Sequence, residues 1–284
     1  MKLVLKFFVK VFWKIAILLN QLYEKYYGEN LNISYELILS LPENVFDEDS
    51  DNARGTHLNE AGDTRQVEEY AKTFSLEKEI NNLSVVENLF FIDNFIAPLL
   101  PVDAQVVDVG CGIGRYGKFL HRQSAPTQKW HYSGVERTED ILAFSRALCP
   151  DYEFRSSDNS IKIPYPDNSK DLVMASGMLQ CTCDQWLDSL QEMQRVSRKY
   201  IFISRFPIVR QVASAYCHQT VIEKGKLEHH YFKIFNRQEF ESKVIALGCQ
   251  IIYKDYGGEI LWVKGISEPV ILNQYLIAVY NLRN

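Results

Sequence analysis

The sequence predicts an α/β fold, a mostly parallel sheet with helices on both faces. Two observations predict it. From about residue 105 onward, short apolar runs alternate with amphipathic stretches, the order that builds parallel sheets through crossover helices. The first of these runs ends in a glycine-rich turn that opens a helix, in VVDVGCGIGRYGKFL, Val106 to Leu120. In an open parallel sheet ligands bind beyond the carboxyl ends of the strands, so this turn is also where a site is expected.

At 284 residues the chain is long enough for one sizeable α/β domain with extra segments, or for two small domains. A net charge of -5 argues against a dedicated nucleic-acid binder, which normally carries a basic surface to neutralise phosphates. The cysteines Cys111, Cys149, Cys181, Cys183, Cys217 and Cys249 are irregularly spaced. They contain no paired CxxC sets, so no metal site is expected. With no signal peptide evident, a reduced cytoplasmic chain is the default expectation.

The elements follow in order. Residues 1–42 are expected to form a basic amphipathic helical segment. Lys2, Lys6, Lys10 and Lys14 recur every four residues, a step of about 40° around a helix, and so mark one broad stripe. Phe7, Phe8, Val11, Phe12, Ile15, Leu18, Leu19 and Leu22 fill much of the remainder. The uncharged stretch Ile15 to Tyr23 is too short to span a bilayer. Residues 1–27 therefore either lie on a membrane surface, lysines toward anionic headgroups, or pack against protein. The first alternative places the protein at the inner face of a membrane. Residues 43–64 are polar and acidic and read as a loop. Residues 65–284 form the main domain. Gln66 to about Leu100 has helical periodicity, stopped by Pro98 and Pro101. Strands are expected at Gln105–Val109, Trp130–Val135, Tyr152–Arg155, Asp171–Ala175, Tyr200–Ser204 and Gln250–Tyr256. Helices are expected at Tyr116–Gln123, Glu139–Ala147, Gln185–Val196 and Arg237–Leu247.

Three features carry chemistry. Gly110, Gly112 and Gly114 follow Asp108, and without a Cβ they let the backbone pass close to a ligand. Glu136 ends the next strand, at the distance expected for an acid that accepts from ribose hydroxyls. Both features also suit a nicotinamide dinucleotide site, because Gly112, Gly114 and Gly117 make G-x-G-x-x-G. The third feature separates the readings. In SSDNSIKIPYPDNSKDLVMASGMLQ, Ser156 to Gln180, an acid follows the third strand, and a proline-punctuated acidic turn leads into an apolar fourth strand.

With that third stretch the sequence resembles the class I S-adenosylmethionine-dependent methyltransferases, which implies a Rossmann-like sheet with an N-terminal helical extension. The resemblance covers roughly Leu83 to the C-terminus, with a cofactor half at about 83–180. It implies that Asp108 and the Gly110–Gly114 backbone, including Cys111, hold the methionyl part of S-adenosylmethionine. It further implies that Glu136, with Arg137 beside it, binds the ribose. Asp158 accepts from the adenine amino group with Asn159 nearby, and Gly177 to Gln180 line the methyl-transfer mouth. Asp171 is expected to be structural.

The C-terminal half is also similar to methyltransferases associated with bacterial surface-polysaccharide synthesis. Arg205 and Pro207, Gln219, and Phe235 and Asn236 carry that likeness. It implies a glycan or small-molecule acceptor bound by an acceptor segment at about 205–236. A hydroxyl acceptor benefits from a general base, most often histidine. His218, His229 and His230 lie in that segment, with His229 and His230 the favoured candidates, and Arg205 suits a phosphate or carboxylate on the acceptor. Two alternatives stay open, a nicotinamide-dependent oxidoreductase and a non-catalytic cofactor-binding module. Oligomeric state is not legible.

Overall fold

The computed structural model describes residues 33–38, 83–157, 162–223 and 226–280. A main sheet runs in the order β4 (Glu153–Ser156), β3 (His131–Glu136), β2 (Gln105–Val109), β5 (Lys170–Ser176), β6 (Ser197–Val209), β10 (Val270–Val279), β9 (Cys249–Leu261). Pairing is parallel from β4 to β6, while β10 is antiparallel to both of its neighbours. The order reverses at β2, whose neighbours β3 and β5 lead the chain outward in opposite directions. That reversal opens a crevice at the carboxyl edge.

Successive strand residues face opposite sides, and the buried core divides accordingly. Val107, Val173, Ile201 and Ile203 pack with Leu190, Met193 and Val196 of α4 (Trp186–Val196) and Phe240 and Val244 of α5 (Arg237–Ala246). On the other side, Val106, Leu172, Phe202 and Leu276 pack with Leu89 and Phe91 of α1 (Leu83–Phe91), Phe119 and Leu120 of α2 (Arg115–Leu120) and Leu142 of α3 (Glu139–Leu148). Strands buried on both faces read as continuous apolar runs, which is why β2 and β5 stood out in the sequence.

The periodicity expected up to Leu100 corresponds to α1, a π-helical turn at Ile92–Ile96 and a 3-10 turn at Ala97–Leu99. In the π-helical turn the Ala97 N–H donates to the Ile92 carbonyl. The remainder of that stretch, like the polar segment 43–64, lies outside the described residues.

Four strands were not anticipated. β10, VILNQYLIAV, is an apolar run interrupted by Asn273 and Gln274, both buried. β7 (Ala215–Glu223) and β8 (Lys226–Asn236) form an antiparallel hairpin inserted between β6 and α5. β8 touches the main sheet only where Ile208 and Val209 of β6 pair with Phe235 and Asn236. The fourth strand corrects the expected helical segment 1–42, because Ile33–Ile38 is β1, paired antiparallel with β7. Its alternation explains this: Tyr35 and Leu37 pack on Phe232, Ile234 and Cys217, while Ser34 and Glu36 are exposed. Residues 1–32 lie outside the described residues, and no described helix is long and apolar enough to cross a membrane.

Candidate active site

β2 delivers the glycine turn to the crevice. Gly110, Gly112 and Gly114 have φ of 71°, 53° and 76°, conformations that side-chain-bearing residues seldom adopt. The turn is tied to β3, since the N–H groups of Gly110 and Cys111 donate to the Val135 carbonyl at 2.8 and 3.1 Å. From α3, the Ser145 hydroxyl donates to the Gly112 carbonyl at 2.8 Å. A Cβ on Gly110 would stand 2.4 Å from the Met178 Cγ, whereas one on Gly112 would meet nothing within 4 Å. Gly112 therefore presents bare backbone to open space.

The acids behave differently from one another. Asp108 is 1% exposed and accepts a hydrogen bond from the Tyr132 hydroxyl at 2.9 Å. Burial pushes its carboxyl up to about 7, the Tyr132 hydrogen bond opposes this, and the nearby Glu136 charge adds to it. Asp108 is thus a buried group held by Tyr132 at the strand end that precedes the turn. The Glu136 carboxylate accepts from the Gly112 N–H at 3.0 Å and, on its other oxygen, from the Arg137 and Thr138 N–H groups at 2.8 and 3.4 Å. A carboxylate offers about four acceptor positions, so capacity for a ribose hydroxyl remains. Asp158 and Asn159, expected at the adenine, lie outside the described residues.

The mouth forms where β5 ends, at Ser176 opposite Ser204 of β6. Gly177, with φ of 69°, donates its N–H to the Ser204 carbonyl at 2.9 Å, and the Gln180 amide donates to the Arg205 carbonyl at 3.3 Å. Arg205 itself has φ of 54°. A buried chain of polar side chains, not anticipated from the sequence, ends here. The Gln274 amide donates to Asn88 at 2.7 Å, Asn88 donates to the Tyr116 hydroxyl at 2.5 Å, and that hydroxyl lies 3.2 Å from the Ser176 Oγ. Asn88 sits within an apolar helix face and Gln274 within an apolar strand, so only their burial marks them. Asp171 is structural as expected, accepting from the Gln105 N–H at 3.0 Å and pairing with Arg198.

The hairpin separates the three histidines. His229 stands on the face of β8 that also carries Tyr231 and Lys233. His230 stands on the opposite face with Phe232, which packs in the small-sheet core. On the first face the Nε2 of His218 lies 2.8 Å from the Nδ1 of His229, and the His218 ring stacks on Tyr231 at 4.8 Å. Burial lowers the His218 pKa, His229 lowers it further, and Glu36 opposes both. Two residues along β7, the Tyr216 hydroxyl donates to Asp184 at 2.5 Å, and Lys233 reaches the same oxygen at 3.0 Å. Asp184 belongs to the 3-10 turn Leu179–Gln185 that leaves the mouth. One strand face therefore runs from that turn to the histidine pair.

Residues 106–199 match a family described as a methyltransferase domain. The fold is similar to that of an S-adenosylmethionine-dependent methyltransferase from Methanosarcina mazei. That likeness has a TM-score of 0.51 at 14% identity, covering 66% of this chain and 97% of that one. A second S-adenosylmethionine-dependent methyltransferase, from Clostridium acetobutylicum, is similar with a TM-score of 0.50 at 12% identity, covering 76% of this chain and 98% of that one. No curated protein matches the sequence. The match of residues 106–199 to a methyltransferase domain favours the methyl-transfer reading of the glycine fingerprint over the dinucleotide one, and the sheet has the fold of the two similar structures. The exposed backbone at Gly112 and the spare acceptor capacity of Glu136 fit that cofactor.

Proposed function

We propose that this methyltransferase domain transfers a methyl group to a hydroxyl of a glycan or small-molecule acceptor, the glycan belonging to bacterial surface-polysaccharide synthesis. The observation that carries the reading is the His218–His229 pair on the strand face that begins at the mouth's own turn. When bound, S-adenosylmethionine supplies the electrophile, a methyl group on a sulfonium.

The chain's residues supply the rest. The Gly110–Gly114 backbone approaches the methionyl part, and Glu136 accepts from the ribose. Asp108, buried and bonded to Tyr132, anchors the strand end from which the turn springs. His229 takes the proton of the attacking hydroxyl, and His218 fixes its ring and shares the charge. The roles expected of both His229 and His230 cannot be exercised on one face, and His229 shares its face with Lys233, which is bound to Asp184 of the mouth's turn. Arg205, beside Gly177, pairs with an anionic group of the acceptor where it has one. Alignment of the hydroxyl with the methyl group and exclusion of water complete the protein's part. We further propose that residues 1–27 hold the enzyme at the cytoplasmic face of a membrane, near lipid-linked acceptors.

The test is transfer from S-adenosylmethionine labelled in its methyl group to mono- and oligosaccharides, with the product bond identified by mass spectrometry and NMR. A methyl ether is expected. Transfer solely to nitrogen or carbon overturns the hydroxyl reading.

A further inference from the structure

Beside the mouth lies a cleft of about 660 Å³ between the base of β8, the start of α4 and the start of α5. None of its lining residues comes from the glycine turn, from the tips of β3 or β4, or from Gly177 to Gln180. It is therefore distinct from the cofactor crevice. Its floor rests on one partly buried ring, Trp186, backed by the buried rings of Phe235 and Phe240. Trp186 stands edge-on to Phe235 with ring centroids 5.2 Å apart and is tilted on Phe240 at 5.8 Å.

The polar rim divides into two sets. In the first, side chains are committed to the protein. Asn236 caps α5, its side chain accepting from the N–H groups of Gln238 and Glu239, and the Ser214 hydroxyl donates to Glu239 at 2.5 Å. These bonds fix the wall. In the second, Gln211, Gln238 and Ser242 are exposed residues of the lining that carry amide and hydroxyl groups. Charge on the rim is nearly balanced. Lys233 is paired with Asp184, and Lys243 is offset by Glu239 on the same wall. A strongly anionic ligand such as a nucleoside diphosphate would find no bidentate or unpaired cationic cradle here. One partly exposed indole with amide- and hydroxyl-bearing residues around it matches the apolar face and ring hydroxyls of a neutral sugar.

Position adds a second argument. Lys233 lines the cleft and belongs to the same β8 face as Tyr231 and His229. His229 is four residues along that strand, a span of about 13 Å at the usual strand rise. A ring in the cleft and a second ring at the histidine pair are thus within reach of one short oligosaccharide.

We propose that this cleft is an acceptor subsite for an uncharged pyranose ring, one that neighbours the ring carrying the methylated hydroxyl. The inference rests on the reading of transfer to a glycan hydroxyl. The probes are maltotriose and cellotriose, with glucose 6-phosphate as the charged comparison, titrated against the full chain while tryptophan emission is followed. A saturable change with a neutral trisaccharide is expected. It disappears in Trp186→Phe and weakens at least about tenfold in Gln238→Ala and in Ser242→Trp, which fills the cleft. Binding of S-adenosylhomocysteine stays within about twofold of the parent in all three variants, reporting an intact fold. No saturable response to either trisaccharide, a response that survives Ser242→Trp, or preference for glucose 6-phosphate overturns the proposal. Formation of methyl ethers without a response from Trp186 defeats the cleft and leaves the transfer reading standing. Saccharide binding without any methyl ether defeats the transfer reading instead.

Discussion

The Nε2 of His218 and the Nδ1 of His229 stand 2.8 Å apart on one face of an antiparallel hairpin, with His230 facing the other way. His229→Ala is expected to slow methyl transfer by about 10²- to 10⁴-fold, the range for loss of a general base. Its affinity for S-adenosylhomocysteine, read by calorimetry, stays unchanged. His230→Ala is expected to leave the rate near the parent value. The pair must be neutral to accept a proton, and burial together with His229 lowers the His218 pKa. His218 therefore stays neutral to a pH below the ordinary imidazole value of ~6.5, which an NMR titration of its ring reads. A parent-like rate in His229→Ala removes the pair from the chemistry.

Asp108 links pH to stability with a definite sign. Its carboxyl is raised from 3.8 to about 7 in the folded chain. The native state then holds a proton that the unfolded chain releases. The contribution is full below about 3.8 and is lost as pH rises to about 7. Asp108→Asn is expected to flatten that fall and to exceed the parent's stability at pH 8 by roughly 4 kcal/mol or less. Denaturant titrations between pH 4 and 8 measure it, and parallel curves for the two proteins would contradict it.

Gly110 combines φ of 71° with a position 2.4 Å, at its would-be Cβ, from the Met178 Cγ. Gly110→Ala is expected to cost about 1–2 kcal/mol from the left-handed backbone alone. Met178 must also move, and binding of S-adenosylhomocysteine should weaken. Calorimetry and chemical denaturation read both effects. At Gly112, with open space around its Cβ position, alanine should lose affinity chiefly where the ligand itself approaches.

Tyr116→Phe removes the hydroxyl that joins Asn88 to Ser176. The stranded buried amide should cost about 1–3 kcal/mol. Asn88→Ala in the same background should cost less than in the parent, since its bond to Tyr116 is already gone and only the acceptor of the Gln274 amide remains to be lost. Additive losses in this double-mutant cycle would show that they are independent.

Deletion of residues 1–27 tests the membrane expectation. The full chain should float with vesicles containing anionic lipid, and the shortened chain should not. Equal soluble recovery of the two would count against a surface-binding role.

Much of the cofactor half was legible in the sequence because its signals are local. The strand ending in Asp108, the three glycines and Glu136 lie within about one crossover unit, and the expected strand starts differ from the observed ones by a residue or so. The acceptor side was opaque because its order arises between distant segments. His218 and His229 are eleven residues apart and meet only through the hairpin register. β6 was expected to stop at Ser204, before the sequence Arg-Phe-Pro. It continues to Val209 because Arg205 takes a positive φ and Pro207 lies opposite Leu272 of β10. β1 could not be inferred from its own six residues, since its partner β7 begins at Ala215.

That small edge strand has a mechanical consequence. Tyr35 reaches Gln219, Glu36 stands opposite His218, and Lys264 grips Glu36 from the return of the main sheet. A load applied to the chain ahead of Ile33 would be shared between the hairpin that holds the histidines and the Lys264 segment before it reached the glycine turn. Tethering the beginning of this chain would therefore tune how the acceptor is gripped before it disturbed how the methyl donor is held.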